Sequence, residues 1–249
     1  MQKVINNISV IIPVYNEEIN IINLLQELKQ CLKKKIKYEI IVVDDGSTDN
    51  TLGSIKNKID KFENLKIIVH NKNYGQSISL RTGIKRASFD YIVTLDGDGQ
   101  NDPADILDLV KNYKMHVPFY LVIGNRKKRN DKLLRRLASR SAFFIRNFIL
   151  GDKTPDTGCA LKVFKKSDFL EIPFFNHIHR FLPFMFTIMG GKIISINVNH
   201  RKRINGFSKY SNFQRALVGI YDLFGIIWLR NRTQSSILVK QIYSSKKFN

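Results

Sequence analysis

Two carboxylates, Asp96 and Asp98, stand one residue apart in the run Asp96-Gly97-Asp98-Gly99-Gln100. The run follows Tyr91-Ile92-Val93-Thr94-Leu95, an apolar, β-branched stretch that reads as a buried strand. Side chains two apart at a strand end point the same way. The glycines beside them let a bulky ligand approach the backbone. Hard oxygen donors suit Mg²⁺ or Mn²⁺, and Mg²⁺ usually sits between one or two carboxylates and a substrate's phosphates. The pattern therefore points to a nucleotide-diphosphate substrate, with a plain Asp-Gly turn as the competing explanation. A calcium EF-hand is excluded, because its sixth loop position would be Gly and is Asn101, and its twelfth would be Glu and is Leu107.

Asn101-Asp102-Pro103 reads as a helix start, a capping side chain followed by Pro at the first helical position. Ile106, Val110 and Tyr113 then recur at helical spacing. The carboxylates thus fall on a strand-to-helix loop, where open α/β sheets bind ligands. Further strands read at Ile8–Val14, Tyr38–Val43, Leu65–His70 and Tyr120–Ile123. Ile21, Leu24, Leu25, Leu28 and Leu32 mark one helical face, and helices fit at Thr51–Phe62, Gln76–Ala87 and Ile106–Tyr113. This alternation predicts an α/β fold with a mostly parallel, doubly wound sheet flanked by helices. Neither a G-x-G-x-x-G nor a G-x-x-x-x-G-K-[ST] phosphate loop is present. Instead, Pro13-Val14-Tyr15-Asn16-Glu17, Asp44-Asp45-Gly46-Ser47-Thr48-Asp49 and Asn71-Lys72-Asn73-Tyr74-Gly75-Gln76 end the first three strands on the same edge as the Asp96 run.

The chain has 249 residues, 43% of them hydrophobic, and a formal charge of +20. That length suits one α/β domain with an elaborated C-terminus, and that charge predicts anionic partners. Cys31 and Cys159 make neither a metal spacing nor a disulfide framework, so a reducing compartment is expected. Ile8–Val14 is too short for a signal peptide and is interrupted by Pro13. Phe181–Met189 and Leu217–Leu229 fall short of a spanning helix, and Asp222 breaks the second. The basic charge concentrates in the segment from Arg126 to Arg146, with nine Lys/Arg against Asp131 alone. A solvated helix face or nucleic-acid binding would also explain it, but no recognised nucleic-acid motif is present. Apolar residues at 213, 217, 220, 224, 227 and 228 share a helical face that ends in Trp228-Leu229-Arg230-Asn231-Arg232, an aromatic and basic edge suited to a membrane interface.

Pro13 to Glu17, Val43-Asp44-Asp45-Gly46-Ser47-Thr48-Asp49 and Asp96 to Gln100 resemble the signature of family 2 glycosyltransferases with the A-type, Rossmann-like fold. Asp156-Thr157-Gly158-Cys159, His179-Arg180-Phe181 and Arg203 through Ser208-Lys209-Tyr210 are similar to the dolichol-phosphate mannose synthase branch and its bacterial polyprenyl-phosphate relatives. The resemblance covers residues 8–232. It implies a single catalytic domain over 1–232, with a nucleotide-sugar half to 125 and an acceptor half from 126, followed by a basic tail at 233–249. It implies that Asp96, Asp98 and Gln100 hold Mg²⁺ or Mn²⁺, and that Pro13, Tyr15, Glu17 and Asp44 hold base and ribose. Asn73, Gly75, Gln76 and Gly97 belong to the same donor set, and Asp45 either joins it or shapes its turn. Arg203 and Lys209 would close over the diphosphate, which makes Asp96, Asp98 and Arg203 the catalytic group. Arg126, Arg135 and Ser139 match positions that grip a lipid phosphate.

A sugar hydroxyl needs a general base, whereas a phosphate monoester, with its second pKa at about 6, is already an anion. Many relatives that glycosylate hydroxyls carry an acidic pair ahead of Gln-x-x-Arg-Trp. The comparable place here reads Asn176-His177-Ile178-His179-Arg180-Phe181. Asp156 is the residue left that could act as a base. The expectation is a metal-dependent, inverting transfer from a GDP- or UDP-linked sugar to a polyprenyl phosphate, at the cytoplasmic face of an anionic membrane. A groove, the bilayer or a membrane-protein partner would cover the lipid tail, and nucleic acid is not expected as a partner. Two alternatives stand beside it: a family 2 transferase acting on a saccharide hydroxyl, and a basic nucleic-acid- or membrane-binding module with a degenerate site.

Overall fold

The computed structural model describes residues 5–126, 147–148, 150–201 and 212–233. Its centre is a seven-stranded sheet of order β3-β2-β1-β4-β6-β5-β7. In chain order the elements are β1 (Asn7–Val14), α1 (Ile21–Leu32), β2 (Lys37–Asp44), α2 (Thr51–Lys56), β3 (Leu65–Val69), α3 (Gln76–Arg86), β4 (Tyr91–Thr94), α4 (Asp105–Lys111) and β5 (Tyr120–Arg126). Then come β6 (Lys162–Lys165), α5 (Lys166–Glu171), α6 (Ile178–Ile188), β7 (Lys192–Val198) and α7 (Asn212–Arg232). Strands β3, β2, β1 and β4 pair in parallel, as do β5 and β7, while β6 runs antiparallel between β4 and β5. The expected α/β, mostly parallel architecture is the one observed.

The sheet is covered on both faces, which is why its central strands read as continuous apolar runs. Ile8, Val10 and Ile12 of β1 face α1 and α4, packing with Leu24, Leu25, Leu28, Ile106 and Leu109. Ile11, with Ile41 and Val43 of β2, faces α3 and α6, packing with Leu80, Ile84, Phe181, Leu182 and Met185. Each fully buried Leu or Ile contributes about 1.5–3 kcal/mol, so the two layers fix strand register and hence the height at which every loop leaves the sheet.

The structure departs from the sequence expectation at element ends. Helix α4 begins at Asp105, not at Asn101-Asp102-Pro103. Asn101 is drawn into a β-bridge with His200, and Asp102 Oδ1 accepts the Ala104 N–H at 3.0 Å, closing a turn before the helix. Helix α2 stops at Lys56 and a short 3₁₀ turn follows at Ile59–Lys61, after the weak helix formers Gly53 and Asn57. Strand β5 continues to Arg126, held there by its pairing with β7. No described helix is long and apolar enough to cross a membrane.

Candidate active site

The loops at the C-terminal ends of β1, β2 and β3 are tied into one rim. Asn16, in the left-handed region at φ 55°, donates its backbone N–H to Ser47 Oγ at 3.0 Å and accepts the Thr48 N–H on Oδ1 at 2.8 Å. The Glu17 N–H reaches Thr51 Oγ1 at 2.9 Å, and Glu17 Oε2 accepts the Asn20 amide at 2.8 Å. Asp44, buried, takes the Ser47 N–H at 3.0 Å. Asp45 takes the N–H groups of Tyr74 at 3.0 Å and Gly75 at 2.7 Å, and its carboxylate lies 2.7 Å from His70 Nδ1. Its carboxylate is engaged in building the turn from Asn71 to Gly75. Gly46 is required there, because at φ +70° a Cβ would lie 2.6 Å from the Lys72 carbonyl carbon. Pro13, Tyr15 and Gln76 stand half-buried on this rim, and Asn73 is exposed on it.

The Asp96 loop joins the rim from β4. A Cβ on Gly97 would lie 2.6 Å from Val14 Cγ1 and 3.3 Å from the Pro13 carbonyl oxygen, so only glycine lets the loop lie against β1. Gln76, the first residue of α3, donates its side-chain amide to Asp96 Oδ1 at 2.7 Å. Asp98 Oδ1 accepts the Gln100 N–H at 3.1 Å. Burial pushes the Asp96 carboxyl up to about 7, and neighbouring Asp98 adds to that push against the pull of Lys162 and Arg126. Among the described residues no cluster of three or more His, Cys, Asp or Glu forms a closed metal cage. Two neighbouring carboxylates, of which Asp96 lines a cavity, are instead an incomplete donor set, which fits a hard divalent cation finished by substrate oxygens. The chain leading to Arg203 is fastened beside this loop: Arg201 N–H donates to the Gln100 carbonyl at 2.9 Å, and its guanidinium pairs with Asp102 at 2.9 Å and Glu27 at 2.5 Å. Arg203 and Lys209 themselves lie outside the described residues, as do Arg135 and Ser139.

On the far side of the loop, Arg126 at the end of β5 forms a bidentate pair with Asp156, Nε to Oδ2 at 2.6 Å and Nη2 to Oδ1 at 2.8 Å. Burial pulls the guanidinium down, and the Asp156 pair more than reverses that. Lys162, the first residue of β6, is buried and donates its Nζ to the Cys159 carbonyl. Burial lowers its pKa, opposed by Cys159, Asp96 and Asp156. Ser77 Oγ lies 2.7 Å from His179 Nδ1, joining the N-terminal turns of α3 and α6. Lys162, Ser77 and His179 line a cavity of about 200 Å³, with Gln76, Asp96, Thr157 and Arg180 also on its polar wall and Leu80, Ile84, Phe169 and Leu182 among its apolar lining. Lys162 and Ser77 were not singled out from the sequence. Lys162 was detectable only as the one charge inside Ala160-Leu161-Lys162-Val163-Phe164.

A polar rim, a carboxylate pair and a cationic cavity thus share one sheet edge. The sequence profile of "Glycosyl transferase family 2" matches residues 9–172. The chain belongs to that family. It is a glycosyltransferase. It is 34% identical over 222 residues to the undecaprenyl-phosphate 4-deoxy-4-formamido-L-arabinose transferase of Proteus mirabilis, covering 88% of this chain and 67% of that one. It is 32% identical over 226 residues to the dodecaprenyl-phosphate galacturonate synthase of Rhizobium johnstonii, covering 89% and 66%. The chain therefore spans about two thirds of the length of these curated relatives. Among solved structures, glucosyl-3-phosphoglycerate synthase from Mycobacterium tuberculosis in complex with Mg²⁺ and uridine diphosphate superposes with TM-score 0.67 at 17% identity, over 90% of this chain and 79% of that one. At that identity the likeness is one of fold.

Proposed function

We propose that this glycosyltransferase moves a sugar from a nucleotide diphosphate sugar to a polyprenyl phosphate, with the relatives named for undecaprenyl- and dodecaprenyl-phosphate products in support. The observation that carries the reading is the bidentate Arg126–Asp156 pair. Asp156 was the carboxylate that sequence left as a base, and it is spent on a guanidinium. A phosphate acceptor needs none: an oxygen of the phosphate attacks the anomeric carbon, and the bond from that carbon to the diphosphate breaks with its electron pair. No proton has to move, and one displacement inverts the anomeric centre.

Asp96 and Asp98, with Gln100 beside them, would hold Mg²⁺ or Mn²⁺, which when bound supplies Lewis-acid stabilisation to the leaving diphosphate. Gln76 orients Asp96 for that task. Pro13, Tyr15, Glu17, Asp44, Asn73 and Gly75 bound the donor's path along the rim. By family resemblance, Arg203 and Lys209 meet the diphosphate charge, and Arg126, Arg135 and Ser139 face the acceptor phosphate.

The lipid tail has a place to go. A largely apolar groove of about 850 Å³ runs between Pro173-Phe174-Phe175 and α7, lined by Tyr221, Ile226, Trp228 and Leu229. His177 Nδ1 lies 3.0 Å from Asp222 Oδ2 and ties α7 to the start of α6. Asn176 and His177 line the groove, while His179 and Arg180 line the catalytic cavity, so one short segment touches both. Tyr221, Phe224 and Trp228 are 81%, 67% and 63% exposed, an aromatic surface suited to the interfacial layer of an anionic, inner-face membrane.

A panel of UDP- and GDP-sugars, with and without polyprenyl phosphate, tests the reading. Transfer to the lipid phosphate with little to soluble oligosaccharides supports it. Efficient transfer to a free sugar hydroxyl, indifferent to lipid phosphate, replaces it.

A further inference from the structure

The cavity beside Asp96 carries two cations that the chemistry above leaves unused. Lys162 is 5% exposed, and among the described residues its Nζ donates to the neutral Cys159 carbonyl. Arg180 stands half-buried in the first turn of α6. Among the described residues, neither has a carboxylate within ion-pair distance, whereas Arg126 at the end of β5 and Arg201 after β7 both do. Both cations act on one ring: the His179 pKa is pushed well below its ordinary value by burial and then by the repulsion of Arg180, Lys162 and His177. The cavity is also bounded by the first turns of α3 and α6, both eleven-residue helices, whose N-terminal partial charges are positive. Among the described residues Asp96 is the one acid on the wall, and the proposed reading commits it to the divalent cation. What remains is a partly enclosed, positive pocket of single-ring dimensions. A buried cation of this kind is costly unless a counter-charge arrives.

We propose that Lys162 and Arg180 form an oxyanion site for a substrate: a carboxylate on the donor sugar, or the phosphate of the acceptor. Either source places the anion beside Asp96, where donor and acceptor must meet. The inference rests on the proposed transfer reaction and adds a selectivity to it. A donor bearing a hexuronic acid would satisfy both cations, while its neutral hexose counterpart would leave them desolvated and unpaired. The apolar lining by Leu80 and Leu182 suits the carbon face of a pyranose ring.

The test compares the wild type with Arg180→Gln, Lys162→Gln and Lys162→Arg. Donors are offered in matched pairs that differ only at C6: UDP-glucuronate against UDP-glucose, and UDP-galacturonate against UDP-galactose. If the anion is the donor carboxylate, the wild type favours the uronate in kcat/KM. Arg180→Gln and Lys162→Gln then lose that preference by about tenfold or more, the size expected for one charged hydrogen bond. Lys162→Arg retains it. If the anion is the acceptor phosphate, the donor ratio stays fixed while the acceptor KM rises about tenfold in both Gln variants. Calorimetric titration of farnesyl phosphate and of the nucleotide uronates reads the same site without turnover, so an anion site can be seen even if transfer to polyprenyl phosphate fails. Arg180, only half-buried, tolerates replacement better than Lys162, so its variant keeps the test valid if Lys162→Gln does not fold. Unchanged donor ratio, unchanged acceptor KM and unchanged anion binding in folded Arg180→Gln would overturn the proposal.

Discussion

Arg126 and Asp156 hold each other through two side-chain hydrogen bonds of 2.6 and 2.8 Å, with a third contact of 3.3 Å from the Arg126 backbone N–H to the same carboxylate. The pair joins the end of β5 to the loop that carries Thr157 and Gly158 into the cavity wall. It therefore sets the position of that wall relative to the sheet.

Breaking that pair from one side leaves an uncompensated, largely buried charge. Asp156→Asn and Arg126→Met should each destabilise the domain by about 3 kcal/mol or more. The double variant should cost clearly less than the sum, because neither charge is then stranded. Urea unfolding of the four proteins measures the coupling. The same Asp156→Asn protein separates positioning from base catalysis. Loss of positioning raises the acceptor KM and leaves the shape of the pH–rate profile intact, whereas loss of a base removes its limb.

On the proposed reading, Asp96 links cation binding to pH. Its folded pKa lies at about 7, above the ordinary 3.8. Between those values the native state holds a proton that the unfolded chain has lost, so the raised pKa stabilises at low pH and that advantage disappears as pH rises through about 7. A cation that takes the ionised form must displace the proton first. Mg²⁺ or Mn²⁺ should raise the melting temperature more at pH 8 than at pH 6, and Asp98→Asn should blunt the effect. EDTA should abolish transfer, with metal restoring it. A metal-induced shift that is equal at both pH values would contradict the link.

Gly97 is the close approach between the carboxylate loop and β1. Gly97→Ala places a methyl 2.6 Å from Val14 Cγ1 and close to the Pro13 carbonyl oxygen. The loop must move by a fraction of an ångström to accept it, and Asp96 and Asp98 move with it. A drop in kcat/KM of about a hundredfold is expected, since a misplacement of about 1 Å can cost that much. Metal affinity, read by the melting shift, should weaken in parallel while the unliganded fold remains.

The parallel half of the sheet was legible because β1, β2 and β4 are buried on both faces and leave uninterrupted apolar runs. The convergence of the strand-end loops into one polar rim was legible because Asp, Asn and Gly cluster at each strand end. Strand β6 escaped notice: Lys-Val-Phe-Lys offers two apolar residues, and its place between β4 and β5 comes from long-range antiparallel pairing. Lys162 escaped with it, because a lysine in a short strand reads as surface until its neighbours in space are known. The Asp156 carboxylate looked available in sequence, since the partner that occupies it is 30 residues away. His179 gave a motif but no partner, because Ser77 lies 102 residues earlier.

That histidine supplies a test of its own. His179, in the first turn of α6, is hydrogen-bonded through Nδ1 to Ser77 of α3 and held well below its ordinary 6.5 by burial, then by Arg180, Lys162 and His177. Below pH 6.5 the unfolded chain binds a proton here that the native state refuses. Stability from this group is complete above that pH and is lost as pH falls, at up to about 1.4 kcal/mol per pH unit. His179→Asn keeps a polar atom near the Nδ1 position and removes the titration. Its unfolding free energy should sit below the wild type's at pH 7.5 and approach or cross it by pH 5, with carboxylate effects common to both. Circular-dichroism urea titrations at pH 7.5, 6 and 5 read the difference directly. Parallel curves across that range would mean that His179 accepts its proton in the folded protein, and the positive potential assigned to the cavity would go with it.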